Sequence, residues 1–279
     1  MADKTQLNRN LNNGNATVLN RGIAPNQGHS GGSSTVLNPR VSATGAIVEG
    51  AVLCDKYRVV EKMSVSTGEA DLYICSHGSK KYVAKVYRRT ASIKAEVTEK
   101  LKKLKSQHVA TVYEIGEYRG ATVEILPFYS RGSLSGKTFT YEQLRGSIIP
   151  CLNEGLKALH DAQIIHKDLK PSNIMMADDQ QSVAIIDFGI SSVTEAGNTV
   201  IVTQTGMTPE YSAPETFKGL YSSHADYYSL GITLYELFCG KTPYGNMPAE
   251  DIEINATLVK DGSLMGELTT KNPALGNMT

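Results

Sequence analysis

The 279-residue chain is long enough to bury the core of one two-lobed domain, and its 28 basic and 28 acidic residues cancel, so no net field draws it to nucleic acid or to an anionic membrane. Its four cysteines, Cys54, Cys75, Cys151 and Cys239, stand far apart, with no Cys-x-x-Cys pair and no histidine at metal-ligand spacing, which argues against structural zinc and suits a reducing cytoplasm. The first residues lack an apolar signal core, and the most apolar helical stretch, around Ile232 to Cys239, is interrupted by Glu236 and too short to span a bilayer, so no membrane partner is expected.

Residues 1–48 are rich in Asn, Gly and Ser and poor in aromatics, so they cannot bury enough apolar surface to offset the entropy of ordering, and a disordered tail is expected. Within it Thr-Val-Leu-Asn occurs twice, at Thr17 to Asn20 and at Thr35 to Asn38, each copy followed closely by an arginine. Two copies are too few to define a structural repeat. They are either chance similarity in a linker or a pair of phosphoacceptor sites for a phosphothreonine-binding partner with an arginine cluster.

From Lys56 the pattern changes. Tyr57-Arg58-Val59-Val60, Leu72-Tyr73-Ile74-Cys75 and Tyr82 to Tyr87 are short β-branched and aromatic runs separated by Gly and Ser turns such as His77-Gly78-Ser79, which predicts an antiparallel meander. Residues 91–105 then read as a helix with Ile93, Val97, Leu101 and Leu104 on one face. Strand-like segments over Thr111 to Tyr118 and Ala121 to Leu126 follow, joined by a turn at Arg119-Gly120. The second half opens on Leu144, Ile148, Leu152, Leu156 and Leu159, an apolar helical stripe ending near His160 that Pro150 either interrupts or begins in its main part. Leu230, Leu234, Leu237 and Phe238 mark a later buried helix. An α+β chain is expected, sheet and one helix first, mostly helices after.

Between those helices lies a polar loop, His166-Lys167-Asp168-Leu169-Lys170-Pro171-Ser172-Asn173. Phosphoryl transfer needs a carboxylate to orient and accept the proton of the attacking hydroxyl, a cation for the transferring group and an amide oxygen for a metal, and Asp168, Lys170 and Asn173 fit those three needs. Asp187-Phe188-Gly189 follows Asn173 by 14 residues, behind the apolar run Val183 to Ile186. A strand that ends in a carboxylate followed by glycine suits a hard cation such as Mg²⁺.

Together with Val83-Ala84-Lys85 and Ala213-Pro214-Glu215, these segments resemble, in order and spacing over about residues 56–256, the signature set of the eukaryotic-like serine/threonine protein kinases. The resemblance implies the bilobal kinase fold, with 49–126 as the N-terminal lobe, 127–130 as a hinge and 131–279 as the C-terminal lobe. It implies ATP with Mg²⁺ or Mn²⁺: Lys85 on the phosphates, Asn173 and Asp187 on the metal, Asp168 as base with Lys170 beside it, and the nucleotide against Leu126, Phe128 and Tyr129. The segment Gly206 to Glu215 resembles the rest for a peptide substrate, with Thr208 in reach of Asp168 and Lys170. Asp226 resembles the aspartate that holds the catalytic-loop backbone, and Lys170 in Asp-Leu-Lys-Pro is the form typical of kinases with Ser or Thr acceptors.

The chain also departs from that pattern. One glycine, Gly68, stands where the glycine-rich loop is expected, in Met63 to Tyr73, and it is either that loop's remaining glycine or an ordinary hairpin glycine. Lys85 should pair with a glutamate of the following helix, where Glu96 is preferred and Glu99 is the alternative. Lys167 replaces the usual arginine before the catalytic aspartate, so it attracts a phosphate on Thr199, Thr203 or Thr205 without gripping it bidentately, unless those are plain threonines of a polar loop. After Tyr244 no counterpart of the family's last helices is evident, nor of the arginine that pairs with the glutamate matched by Glu215, which should therefore be exposed or find a substitute cation. Short bacterial kinases resemble the chain in their divergent glycine loop and polar tail. The alternatives to an active, self-phosphorylating kinase are a scaffold that binds nucleotide or a partner without efficient transfer, suggested by the eroded loop, and a small-molecule phosphotransferase, disfavoured by the peptide-rest segment.

Overall fold

The structure is a computed structural model that describes residues 47–67, 69–88, 94–194, 199–201 and 206–260. The tail with its Thr-Val-Leu-Asn copies, Gly68, Ile93, Thr203, Thr205 and residues 261–279 lie outside the described residues.

The first half is one antiparallel sheet. Strands β1 (Val52–Leu53), β2 (Tyr57–Ser66), β3 (Ala70–His77), β4 (Lys80–Tyr87), β5 (Glu114–Tyr118) and β6 (Ala121–Pro127) lie in the order β1-β2-β3-β4-β6-β5. The β5–β6 turn works because Arg119 and Gly120 both take positive φ, at 54° and 77°, as a two-residue hairpin requires. Leu53, Val59, Tyr73, Cys75, Ala84, Val123 and Ile125 form the sheet's own apolar cluster.

Helix α1 (Ala95–Lys103) crosses between β4 and β5 and ends earlier than its periodicity predicts. Val97 and Leu101 are buried, and they join the cluster of the second half rather than that of the sheet. After α1, residues 108–110 bond to β9 (Val183–Ile185): Ala110 N donates to Ile185 O at 2.8 Å and Ile185 N to His108 O at 2.9 Å. Backbone pairing thus stitches the sheet half to the helical half.

Over its described residues the second half is built on helices and short strand pairs. A single turn α2 (Tyr141–Gln143), capped by Thr140 with Gln143 answering, leads through a π-helical turn at Leu144–Ile148 into α3 (Ile149–Asp161). Pro150 sits in the first turn of α3, where a missing N–H costs nothing, so it begins the regular helix. Leu144, Ile148, Leu152, Leu156 and Leu159 are all buried. Gly155 allows the close approach: a Cβ there would stand 2.8 Å from the His108 carbonyl. The remaining strands are β7 (Ile164–Ile165), β8 (Ile174–Met176), β10 (Ser192–Val193), β11 (Val200–Ile201) and β12 (Leu220–Tyr221). Helix α4 (Ser223–Cys239) ends on Gly240, left-handed at φ 84°, the residue type such a stop favours.

Helix α5 (Ala249–Lys260) was not expected from the sequence. Its signal is Pro248 followed by Glu250 and Asp251 in the first turn, which suits a helix N-terminus. Ile252 packs with Ile232 and Tyr244. All four cysteines are free thiols, and among the described residues no helix is long and apolar enough to cross a membrane.

Candidate active site

The polar loop between β7 and β8 is anchored from below by one carboxylate. Asp226, on the first turn of α4 and fully buried, accepts hydrogen bonds from His166 N at 2.9 Å, Lys167 N at 2.8 Å and His160 Nε2 at 2.9 Å. Those bonds hold Lys167 at φ 71°, a left-handed conformation that costs a side-chain-bearing residue about 1 kcal/mol. The Lys167 side chain runs inward, donates to Ser192 Oγ and lies 4.8 Å over the Tyr221 ring. Burial, helped by the Lys94 charge, pushes its ammonium down to about 8.

Held this way, the loop presents its polar groups together. The Asp168 carboxylate accepts from Thr208 Oγ1 at 2.7 Å, Lys170 Nζ at 2.8 Å and Asn173 Nδ2 at 3.0 Å. Lys170 also donates to Thr208 Oγ1 at 2.7 Å, so the three residues form a closed ring. Thr208 belongs to a segment that Tyr211 fastens to Glu236 and that Ser229 Oγ holds by the Tyr211 carbonyl at 2.7 Å. Glu215, farther along, is half-buried.

Asn173 and Asp187 are neighbours because β8 and β9 pair antiparallel: Ile174 faces Ile185, and Ile186 N donates to Asn173 O at 2.9 Å. Asp187 is itself left-handed at φ 64°. His166 fixes this corner by its 2.9 Å contact with the Ile186 carbonyl and its ring contact with Phe188, centroids 5.2 Å apart. Burial pushes the Asp187 carboxyl up, but the nearby Lys85 ammonium and its 2.8 Å hydrogen bond outweigh that and leave it below the usual carboxylate value.

A cleft runs between the sheet and the helical half. Its lining is largely apolar, from Leu72, Val83 and Leu126 of the sheet and Met175 and Ile186 of the helical half, with Lys85, Glu124 and Asp187 among its charged residues. That combination suits a flat aromatic ring with a polyanionic tail. Asn173 and Asp187 offer an amide oxygen and a carboxylate, hard donors that fit a divalent cation, while no cluster of three or more metal-binding side chains occurs among the described residues. Such an ion would complete its shell from phosphate and water.

Lys85 thus bonds Asp187, Asn173 and Lys170 bond Asp168, and the β8–β9 pairing sets the two groups beside one another. Leu126 and Tyr129 line the cleft; the Phe128 side chain does not, and carries the Lys81 ammonium 5.6 Å over its ring. Thr67 and Glu69, on either side of Gly68, reach the cleft from the β2–β3 turn. Glu96 is a correction. Helical spacing turns Lys94, Val97, Thr98 and Leu101 to the cleft, so Glu96 is exposed and Glu99 points outward to Lys102 at 2.9 Å. The position facing Lys85 from the helix holds Thr98, and the ammonium pairs with Asp187 instead.

Sequence reasoning also missed Glu124, Tyr87 and Lys94. Glu124 was legible as the one charge in the apolar strand Thr122 to Leu126, yet its meaning depends on pairing with β4. Burial pushes its carboxyl up, opposed by a hydrogen bond from Tyr87. Lys94 donates to the Ser191 carbonyl at 2.8 Å, tying the start of α1 to the strand after Asp187.

Residues 66–272 match the sequence family described as protein kinase domain. Among similar curated proteins, CBL-interacting serine/threonine-protein kinase 8 of Arabidopsis thaliana is 31% identical over 58% of this chain and 39% of its own length. Serine/threonine-protein kinase pkn2 of Myxococcus xanthus is 28% identical over 74% of this chain and 27% of its own, and calcium-dependent protein kinase 27 of Arabidopsis thaliana is 36% identical over 40% and 23%. The chain spans less than two fifths of the length of these relatives.

Proposed function

We propose a catalytic reading from one premise: this chain belongs to the protein kinase family, with its bilobal α+β fold. It transfers the γ-phosphoryl group of ATP to serine or threonine hydroxyls of proteins, itself included. The observation that carries this is the ring of Asp168, Lys170 and Thr208 with Asn173 at its edge, since it places a carboxylate, a cation and a metal-suited amide side by side. ATP lies in the cleft between 49–126 and 131–279, against Leu126 and against Tyr129 of a hinge at 127–130. Lys85 would bind its phosphates, and Asn173 and Asp187 would hold Mg²⁺, with Mn²⁺ as a substitute. A bound divalent ion supplies charge neutralisation at the phosphates.

Asp168 orients the acceptor hydroxyl and takes its proton. Lys170 lies 2.8 Å from that carboxylate, where a cation offsets charge gathering on the transferring group. Thr208 steadies both and ties them to the segment on which a substrate chain rests. A cytoplasmic location fits the free thiols. The tail threonines Thr17 and Thr35 are candidate acceptors, whose phosphates would be read by a phosphothreonine-binding partner.

The test is incubation of the chain with γ-labelled ATP and Mg²⁺, alone and with a generic basic protein, followed by acid hydrolysis. Label on phosphoserine or phosphothreonine is expected. Nucleotide binding without any transfer would favour a scaffold, and label on tyrosine would overturn the acceptor assignment.

A further inference from the structure

The wall facing Lys85 holds a carboxylate that the helix was expected to supply. Lys85 on β4 and Glu124 on β6 are direct cross-strand partners, so their side chains leave the sheet on the same face. Both are buried, at 5% and 6% exposure. A charge in such a wall is costly unless it is bonded and faces an opposite charge. Glu124 has both: Tyr87 Oη donates to it at 2.8 Å, the Thr98 hydroxyl bonds it from α1, and the Lys85 ammonium is near enough to favour its charged form. Lys85 in turn lies 5.2 Å over the Tyr87 ring, so Tyr87 touches both.

In this arrangement the ammonium is bonded to Asp187. On the proposed mechanism Asp187 would be one of the residues that hold a divalent ion, and a carboxylate shared with that ion would hold Lys85 less firmly, so the ammonium would need another counter-charge. The remaining carboxylates are unequal candidates. Glu96 and Glu99 face away on α1, and Glu69 is exposed on the β2–β3 turn, where water screens it. Glu124 is buried and fixed by strand register.

We propose that Glu124 is the positioning carboxylate of Lys85, so that the phosphate-binding lysine is aligned from inside the sheet and Thr98 takes the vacated helix position. The assignment rests on the kinase reading above. It has a regulatory consequence. The pair is set by two hydrogen-bonded strands, so displacement of α1 does not break it.

The test uses the full chain, Glu124→Gln, Glu69→Gln and the double variant Glu124→Gln/Thr98→Glu, with three readouts: unfolding temperature without nucleotide, its rise with Mg²⁺-ATP, and kcat and KM for ATP. Glutamine keeps partners for Tyr87 and Thr98, so Glu124→Gln should melt within a few degrees of wild type. Its kcat/KM for ATP should fall about 10- to 100-fold, and its melting rise with nucleotide should shrink, as expected when a buried cation loses its counter-charge. Returning a carboxylate to the helix at position 98 should recover about tenfold of that loss. The proposal is overturned by wild-type kinetics in Glu124→Gln, by the loss appearing in Glu69→Gln instead, or by a double variant no better than Glu124→Gln. A wild-type chain that binds ATP yet never transfers phosphate sinks the kinase reading instead, and the nucleotide-induced melting shift of Glu124→Gln still decides the role of Glu124.

Discussion

Asp226→Ala is expected to lower the stability of the fold by about 2–6 kcal/mol, because it orphans two buried backbone donors at about 1–3 kcal/mol each. The donors are His166 N and Lys167 N, both bonded to a side chain with no exposure to water that could replace it. The loss extends beyond the bonds themselves. Lys167 stands at φ 71° only while its amide is held, so releasing it lets the loop relax toward an unstrained conformation and carries Asp168 away from Thr208. Asp226→Asn should cost nearly as much, since an amide has one accepting oxygen where two N–H groups converge. Thermal unfolding is the check, with a drop of roughly 5–15 °C expected for a domain of this size. A variant that melts like wild type would show that the loop is held by something other than Asp226.

Asp187→Asn should leave the fold standing and reduce phosphate transfer by about 10³-fold, the scale of losing one charge-stabilising group in a pre-organised site. The charge is what matters here. The isosteric amide still fits the corner set by His166 and Phe188, but it is a weaker metal donor and no counter-ion for Lys85. The dependence of ATP affinity on divalent ion should weaken in parallel. Wild-type transfer with an unchanged metal requirement would place the ion elsewhere. A pH signature follows as well. Because the folded Asp187 carboxyl lies below its ordinary value of 3.8, its stabilising contribution is full above that pH and is lost as pH falls through the lower, folded value. The variant should therefore show a shallower loss of stability in acid.

The chemistry was more legible in the sequence than the geometry that supports it. Asp168, Lys170, Asn173 and Asp187 stand in short motifs whose spacing is fixed by a loop and a two-strand hairpin, so local order alone brings their types together. The α3 stripe was readable because burial on one side of a helix imposes its period on the leucines. The helix glutamate was misjudged for the opposite reason. Which of Glu96, Thr98 and Glu99 faces Lys85 depends on a rotation of about 100° per residue, and the apolar positions Val97 and Leu101 face the helical half rather than the sheet. Glu124 stood out as a lone charge in an apolar strand, but its meaning could not be read without register, because it matters only once Lys85 is known to stand opposite it. Helix α5 was overlooked because its apolar pattern is weak and its start is written in Pro248 and two acidic residues.

The most direct measurement of the central claim compares the rate of phosphate transfer from ATP by this chain and by Asp168→Asn, with ATP affinity determined for both. Asp168 touches Thr208, Lys170 and Asn173 but does not line the apolar cleft, so the account expects transfer to fall by about 10²- to 10⁴-fold, the usual worth of a positioned base, while ATP affinity stays within about twofold. Equal transfer rates in the two proteins would contradict it.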